Sequence, residues 1–367
     1  MKGRAEIVGG GFAGLTAACA LAQRGWRVRV HERADRLRTA GAGINVYENG
    51  LRVLQAVGAA EETLHEAFVT RLRETRDEHD RLLSVHHWNI RVYGVVRQRM
   101  IDALAASARR AGAEIVTDSE GVSASAEGEL TLADGRKLQA DLVVAADGVN
   151  SRIRDSLGLL AHRRYLADGC IRVMFEESVA QDGKTIEYWS GNRRLLYNPA
   201  STKHLYIALS MPHDDTEGRA LPLRKDAWKK SFPHLASLIG KLPDGRYDRF
   251  EYLRLRRWSA GKVAVLGDAA HAIPPNIGQG AGCAMMNALS LAVYLEQSTQ
   301  VADGLSTWED RERPLTNHTQ RISLLYGMPT FWPKQLRAFF YGLAGRSKWL
   351  TAQRTRTARH IPTGTTS

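Results

Sequence analysis

Residues 5–33 read AEIVGGGFAGLTAACALAQRGWRVRVHER, and this stretch decides the fold. Residues 5–8 are apolar and partly β-branched, and Gly9, Gly11 and Gly14 then form GxGxxG. A helical pattern runs from Phe12 and Ala13 to about Arg24, where Gly25 closes it. Residues 27–31 alternate as a second strand that ends on Glu32, with Arg33 beside it. GxGxxG alone is weak. Strand, glycines, helix, strand and a terminal acid about twenty residues on make the full βαβ dinucleotide fingerprint. The glycines let the backbone approach a pyrophosphate at the helix N-terminus, and Glu32 can accept hydrogen bonds from a ribose. The expected fold class is α/β, built on a Rossmann-type nucleotide-binding domain.

Outward from that unit, two further stretches repeat its geometry. Residues 263–287, VAVLGDAAHAIPPNIGQGAGCAMMN, read as a buried strand ending on Gly267 and Asp268, then a Pro-rich turn, then a helix entered through Gly278, Gly280, Ala281 and Gly282. One carboxylate and a row of backbone N–H donors meet there, a seat for an anionic, partly planar group. Residues 141–146 form another strand-like run, followed by DGVNSRIR, so Asp147 and Gly148 offer a second contact of the same kind. Gly41 and Gly43 permit close approach of a flat ring, and Arg38 before them meets a phosphate or a reduced, anionic ring, or is a solvated surface charge. From residue 96 an amphipathic helix carries Met100, Ile101 and Leu104 inward; Arg97 at its start is a phosphate ligand or an exposed charge.

Composition narrows the class. The 367 residues are 44% hydrophobic and 25% charged, ordinary globular usage with room for two or three units. No apolar run reaches the roughly 18 to 20 residues of a spanning helix, and a strand-like segment begins almost at once. The expectation is a soluble protein with no signal peptide and no membrane partner. Cys19, Cys170 and Cys283 are scattered, without a CxxC pair or a zinc spacing, so a cytoplasmic setting and no metal are expected. Adjacent His86 and His87 on a strand point to opposite faces and do not chelate together. The net charge of +12 is carried by dispersed arginines with no nucleic-acid motif, so it reads as a field steering small anions toward a cleft.

The chain divides into a discontinuous nucleotide-binding domain (1–66, 92–164 and 255–300), a substrate-facing mixed sheet (67–91 and 165–254) and C-terminal helices (301–367). Asp134-Gly135 marks a hairpin, Asn49 and Gly50 punctuate the chain, residues 228–239 form a helix, 305–326 and 334–343 are helical, and 360–367 fray.

GxGxxG with Glu32, then DGVNSRIR, then GDAAHAIPPNIGQGAG resemble, in this order, the motifs of the single-component flavoprotein aromatic hydroxylases, the para-hydroxybenzoate hydroxylase family. The resemblance covers nearly the whole chain. It implies the GR2-like fold of that family, with non-covalent FAD, a mixed-sheet substrate domain and C-terminal helices. It further implies that Glu32 holds the adenosine ribose, Arg97 the pyrophosphate and Asp268 the ribityl chain. The resemblance also implies that the helix start at Gly278 to Gly282 faces flavin N1 and the C2 carbonyl, where its dipole would stabilise an anionic reduced flavin. Asp147 and Gly148 match the family's shared FAD and NAD(P)H motif. The implied activity is a monooxygenase that uses NAD(P)H as co-substrate and O2, and hydroxylates an aromatic or N-heteroaromatic acid through a flavin C4a-hydroperoxide, with Pro275 beside the reactive edge. Ring opening, simple or polycyclic hydroxylation without cleavage, and a non-catalytic FAD sensor stay open, as do NADH against NADPH and a homo-oligomer.

Within that family, GGGFAGLTAA, GAGI, NGLRVL, QGAGCAM and WEDRERPLT are most similar to the 2-methyl-3-hydroxypyridine-5-carboxylate oxygenases, which are ring-opening members. In these, an arginine on one substrate-domain strand and a tyrosine on the next line the site. NRRLLYNP and HLYIAL match in spacing and give Arg194, for a substrate carboxylate, and Tyr206, for a ring hydroxyl; either is alternatively a structural strand residue. One departure matters. Arg73 precedes Glu74 and Thr75 where these relatives carry an active-site tyrosine, which changes the pocket's charge and size if Arg73 reaches it.

Overall fold

The computed structural model describes residues 2–37, 42–333, 335–337, 339–340 and 347–366. The strand Arg4–Val8 pairs in parallel with Arg27–His31 on one side and Leu142–Ala145 on the other. Val263–Val265 and Glu114–Val116 extend this sheet in parallel, and Ser259–Ala260 adds a short antiparallel edge. The three stretches that look alike in sequence are therefore neighbours. Their register aligns Val8 with Ala145 and Ala145 with Val265, so Gly9, Ala146 and Leu266 all leave the sheet at one edge.

The helix Phe12–Gln23 is buried from Phe12 to Leu21 because it packs on the sheet and also against the helix Gly280–Gln297. Small residues allow that proximity: a Cβ on Gly14 would stand 1.9 Å from the carbonyl oxygen of Gly9. Met100, Ile101 and Leu104 of the helix Arg97–Arg110 are buried, as their spacing implies. The hairpin Glu129–Leu132/Lys137–Gln139 turns at Asp134-Gly135.

A seven-stranded mixed sheet follows the order Arg246–Leu255, Leu160–Glu176, His204–Pro212, Arg193–Pro199, Lys184–Ser190, Leu72–Asp77 and Leu82–His87. Only Lys184–Ser190 and Leu72–Asp77 pair in parallel. A small antiparallel sheet of Gly43–Tyr47, Val92–Val96 and Phe68–Val69 joins the two larger ones. Backbone meets backbone where it does so: a Cβ on Gly94 would lie 1.9 Å from the Pro199 carbonyl oxygen. No helix among the described residues is long and apolar enough to cross a membrane.

Four local expectations change. Asn49 and Gly50 lie inside the helix Glu48–Ala56, because the Asn49 amide is buried against Gln279 and the Met285 methyl fills the space beside Gly50. The helix read over 228–239 is broken into Lys225–Ser231 and Ala236–Lys241 at Pro233, which lacks an N–H and clashes with a preceding turn. The tail is docked rather than frayed. Ala358 accepts from the Asn49 N–H, Thr363 donates to Glu312, and Gly364 packs against Leu289 and Val293. The helix Val301–Gly327 runs through Pro314 and is longer than its pattern suggests, while the helix expected over 334–343 lies partly outside the described residues.

Candidate active site

A cavity of about 600 Å³ opens between the carboxyl edge of the parallel sheet and the inner face of the seven-stranded sheet. One end is a nucleotide cradle. Gly11, Phe12 and Ala13 line it at the first helix, Gly148 at the end of the third strand, and Gly267 and Asp268 at the end of the fourth. A Cβ placed on Gly11 or Gly280 meets nothing within 4 Å, so both backbones face open space where a ligand can approach the helix N-termini. Arg97 lines the same wall with its guanidinium 5.0 Å above the Phe12 ring, and its Nε is buried without a hydrogen-bond partner. Burial lowers the Arg97 pKa, and the Asp268 charge opposes the shift. Asp268 lies open on the cavity wall; the surrounding protein pushes its carboxyl upward against the pull of Arg97 and Arg172. Unpartnered polar atoms, bare helix starts and a carboxylate at one strand edge suit a dinucleotide with a flat ring. FAD fits this donor set.

Gly9 and Gly14 do not line the cavity; they bring the strand, the helix and the Ala146 carbonyl together beneath it. Glu32 sits at the glycine turn, where its two carboxylate oxygens accept from the N–H groups of Gly10 and Ala34 at 2.8 and 2.9 Å. A carboxylate has about four acceptor sites, so capacity for a ribose hydroxyl remains. Arg33 is exposed and does not line the cavity. Asp147 also lies off the wall: one of its oxygens caps the helix Arg152–Ser156 through the N–H of Arg152, and burial raises its pKa. Gly282 leaves room for the Asn49 amide, which would stand 2.9 Å from a Cβ there. Arg38 lies outside the described residues.

At the other end stand Arg73, Arg194, Tyr206 and Pro275, all on the cavity wall with Gly43, Gly278 and Ala281. Gly43 lets its strand approach Tyr206, whose Cβ would lie 2.6 Å from a side chain at that position. Burial pushes the Tyr206 hydroxyl up to about 12, so it stays protonated and can donate. Arg194 is held on four sides. Its Nη2 donates to Asp168 at 3.3 Å, its Nη1 to Asn276 at 3.2 Å, Glu187 lies 4.0 Å away, and Trp189 stacks below the guanidinium at 5.1 Å. Arg73 pairs with Glu187 at 2.7 Å. Despite burial, Arg73 and Arg194 hold the Glu187 carboxyl below the usual range, whereas burial wins at Asp168 and raises it.

Asp168, Glu187 and Asn276 were invisible as site residues in the sequence, because a lone acid or amide on a strand or in a turn carries no pattern. Arg154 was missed too. Its buried guanidinium donates to the carbonyls of Val149 and Ala269, tying the loop after Asp147 to the turn after Asp268. The DGVNSRIR motif contained it, and the signal was a long cation next to a strand end. Among the described residues no group of three His, Cys, Asp or Glu is placed to hold a metal, and the three cysteines are free and buried.

Comparison with known proteins agrees with this geometry. The model of the FAD binding domain family matches residues 4–321. A putative 2-heptyl-3-hydroxy-4(1H)-quinolone synthase of Rhodococcus erythropolis is 43% identical across 100% of this chain and 99% of its own. A 2-heptyl-3-hydroxy-4(1H)-quinolone synthase of Mycobacteroides abscessus is 42% identical across 95% and 96%. The tetrameric form of 2-methyl-3-hydroxypyridine-5-carboxylic acid oxygenase superposes with a TM-score of 0.88 at 38% identity, covering 99% of this chain and 98% of that one. The chain belongs to the FAD binding domain family and, within it, to the flavin-dependent monooxygenases of aromatic hydroxylase fold.

Proposed function

We propose that this flavoenzyme hydroxylates a neutral N-heteroaromatic ring of the 4-quinolone kind, at a ring carbon beside its oxygen substituent. The observation that carries this reading is the charge pairing at the substrate end: Arg73 is matched by Glu187, and both terminal nitrogens of Arg194 are engaged by Asp168 and Asn276. A substrate carboxylate binds best to a guanidinium free to present two parallel N–H donors. Drawing Arg194 away from Asp168 would leave a buried carboxylate uncompensated, at a cost of about 3–5 kcal/mol. A neutral ring with a carbonyl and an N–H asks for no such exchange. The two relatives above 40% identity, both named as quinolone synthases, support the same class.

Bound FAD would supply the redox chemistry, with NAD(P)H as hydride donor and O2 as oxidant. Gly11, Arg97, Asp268 and the helix start at Gly280 would hold it, and that helix's positive end favours negative charge on the reduced ring. Tyr206 donates to the ring oxygen. Glu187, kept ionised by its two arginines, accepts from the ring N–H. Pro274 and Pro275 lie on the cavity wall, where their rings would help keep water from the reacting ring.

The test is NAD(P)H consumption by the holoenzyme over a panel of 2-alkyl-4-quinolones, hydroxypyridine carboxylates and hydroxybenzoates, followed by product mass under labelled oxygen. The quinolones should accelerate consumption at least about tenfold and gain one labelled oxygen on an intact ring. Stimulation by the carboxylates alone returns the substrate to an aromatic acid, with ring opening in play. That second reading draws on Arg194 and Tyr206 sharing the cavity wall and on the unpartnered Arg194 Nε. Failure of the whole panel would favour a sensor. The two largest apolar clusters support separating 1–66, 92–164 and 255–300 from 67–91 and 165–254, while Leu305 and Trp308 of 301–367 pack into the first of them. The tetrameric relative supports a homo-oligomer, which sedimentation of the holoenzyme tests, and buried free cysteines support a cytoplasmic setting.

A further inference from the structure

The charge of this protein is not spread evenly. Nine of its Lys and Arg residues, and none of its 39 Asp and Glu, fall within residues 313–367, so nine of the twelve excess positive charges come from that segment. Exposed apolar side chains gather in the same part of the chain. Leu325, Met328, Phe331, Leu336, Phe339 and Trp349 are each between 46% and 69% exposed, against four such residues in the first 320 positions of the described chain. Leu325 and Met328 stand three residues apart in helical backbone, as do Leu336 and Phe339, so each pair shares a face. Arg321, Lys348, Arg356 and Arg359 in the same segment are exposed and have no acidic partner among the described residues.

We propose that this C-terminal face docks the enzyme on an anionic phospholipid surface. Exposed apolar and aromatic side chains in a segment that carries cations and no acid match an interface that offers acyl chains beneath negative headgroups. An exposed Trp is the residue best suited to the headgroup boundary. Two rival occupants fit less well. A nucleic acid would satisfy the cations and leave six large apolar groups in water. A second copy of the same face would set the exposed cations Arg321, Lys348, Arg356 and Arg359 against their like. The lack of a bilayer-spanning run argues against a transmembrane helix, but docking in the interfacial plane needs no span.

The face lies against the substrate end of the site. Tyr326, Thr351 and Arg354 line a small polar chamber of about 50 Å³ together with Arg73, Glu187 and Arg194. Docking would therefore bring the substrate pocket to the lipid surface, the side from which a lipophilic ring would arrive. The docking itself does not rest on the quinolone reading, since it is measured without substrate.

Flotation of the FAD-loaded enzyme with vesicles tests it. Vesicles of phosphatidylglycerol and phosphatidylcholine should carry at least about tenfold more protein than phosphatidylcholine alone at about 0.05 M salt, and part of that binding should survive about 0.5 M salt because the apolar contact is not screened. The double variant Phe339→Ser/Trp349→Ser should lose the salt-resistant part while keeping its flavin spectrum and melting temperature. Absence of binding to phosphatidylglycerol vesicles overturns the proposal. So does binding that the double variant leaves unchanged, or binding that short duplex DNA abolishes in both the wild type and the variant. Loss of an oligomer in the variant, with no vesicle binding by the wild type, would assign the face to self-association instead.

Discussion

At Glu187 one part-buried carboxylate faces two guanidiniums, Arg73 at 2.7 Å and Arg194 at 4.0 Å, and with Asp168 it balances the charge at this end of the cavity. Glu187→Gln should leave the flavin in place and raise the affinity of ring carboxylates. The KM of a neutral ring should worsen by about tenfold as the acceptor for its N–H weakens. Steady-state kinetics with one substrate of each charge checks both directions; a variant that weakens both equally would argue for a purely structural Glu187. A second residue speaks through pH. Burial lowers the His271 pKa from 6.5 to about 4, and its Nε2 accepts from Asn287 at 3.0 Å. The unfolded chain takes up this proton first, so the contribution is complete above pH 6.5 and is lost as pH falls from there toward 4, by about 3 kcal/mol in all. Denaturant titrations across that window should show stability falling with acid, and His271→Gln should flatten the slope.

At the scale of elements, the cradle is made of turns that are fixed to one another by a few long side chains. Arg154 is the clearest case, bonding carbonyls on two different strand-to-helix turns. Arg154→Met keeps the apolar stem but removes both bonds, each worth about 1.5–3 kcal/mol when the donor is charged. The expected result is weaker flavin retention, by about tenfold or more, measured as FAD released on dilution. The secondary structure of the isolated chain should remain. The turns themselves are legible in the sequence, because the strand, glycines and helix of each are contiguous and their periodicities differ. The place of Asn49-Gly50 is not, because that pair's environment comes from the helix that begins at Gly280.

For the whole molecule, the small antiparallel sheet that lines the cavity at Gly43 and Asn45 meets the seven-stranded sheet backbone to backbone. Gly94 stands at that junction, and a Cβ there would come within 1.9 Å of the Pro199 carbonyl oxygen. Gly94→Ala should force the sheets apart and lower stability by about 1–3 kcal/mol. Because the displaced strand also carries Tyr206's neighbours, KM should rise in the surviving folded enzyme; a melting curve and a KM together test this. A fall in stability with KM unchanged would show that the junction and the pocket are mechanically separate.

The sequence by itself determined the nucleotide-binding half of this protein. Each of its units is local, so a GxGxxG, an acid at a strand end or a glycine-rich helix start carries its physical reason within about thirty residues. The same logic brought Arg194 and Tyr206 to the cavity by resemblance. Only the tertiary structure decided what surrounds them. Arg73 and Glu187 are 114 residues apart, Arg154 and Ala269 are 115, and Asn49 and Gln279 are 230. None of these pairs has a pattern that a chain can display, because an ion pair or a buried amide contact depends on which strands the fold makes adjacent. The charge of the substrate pocket is a property of such pairs, and so it was settled by packing.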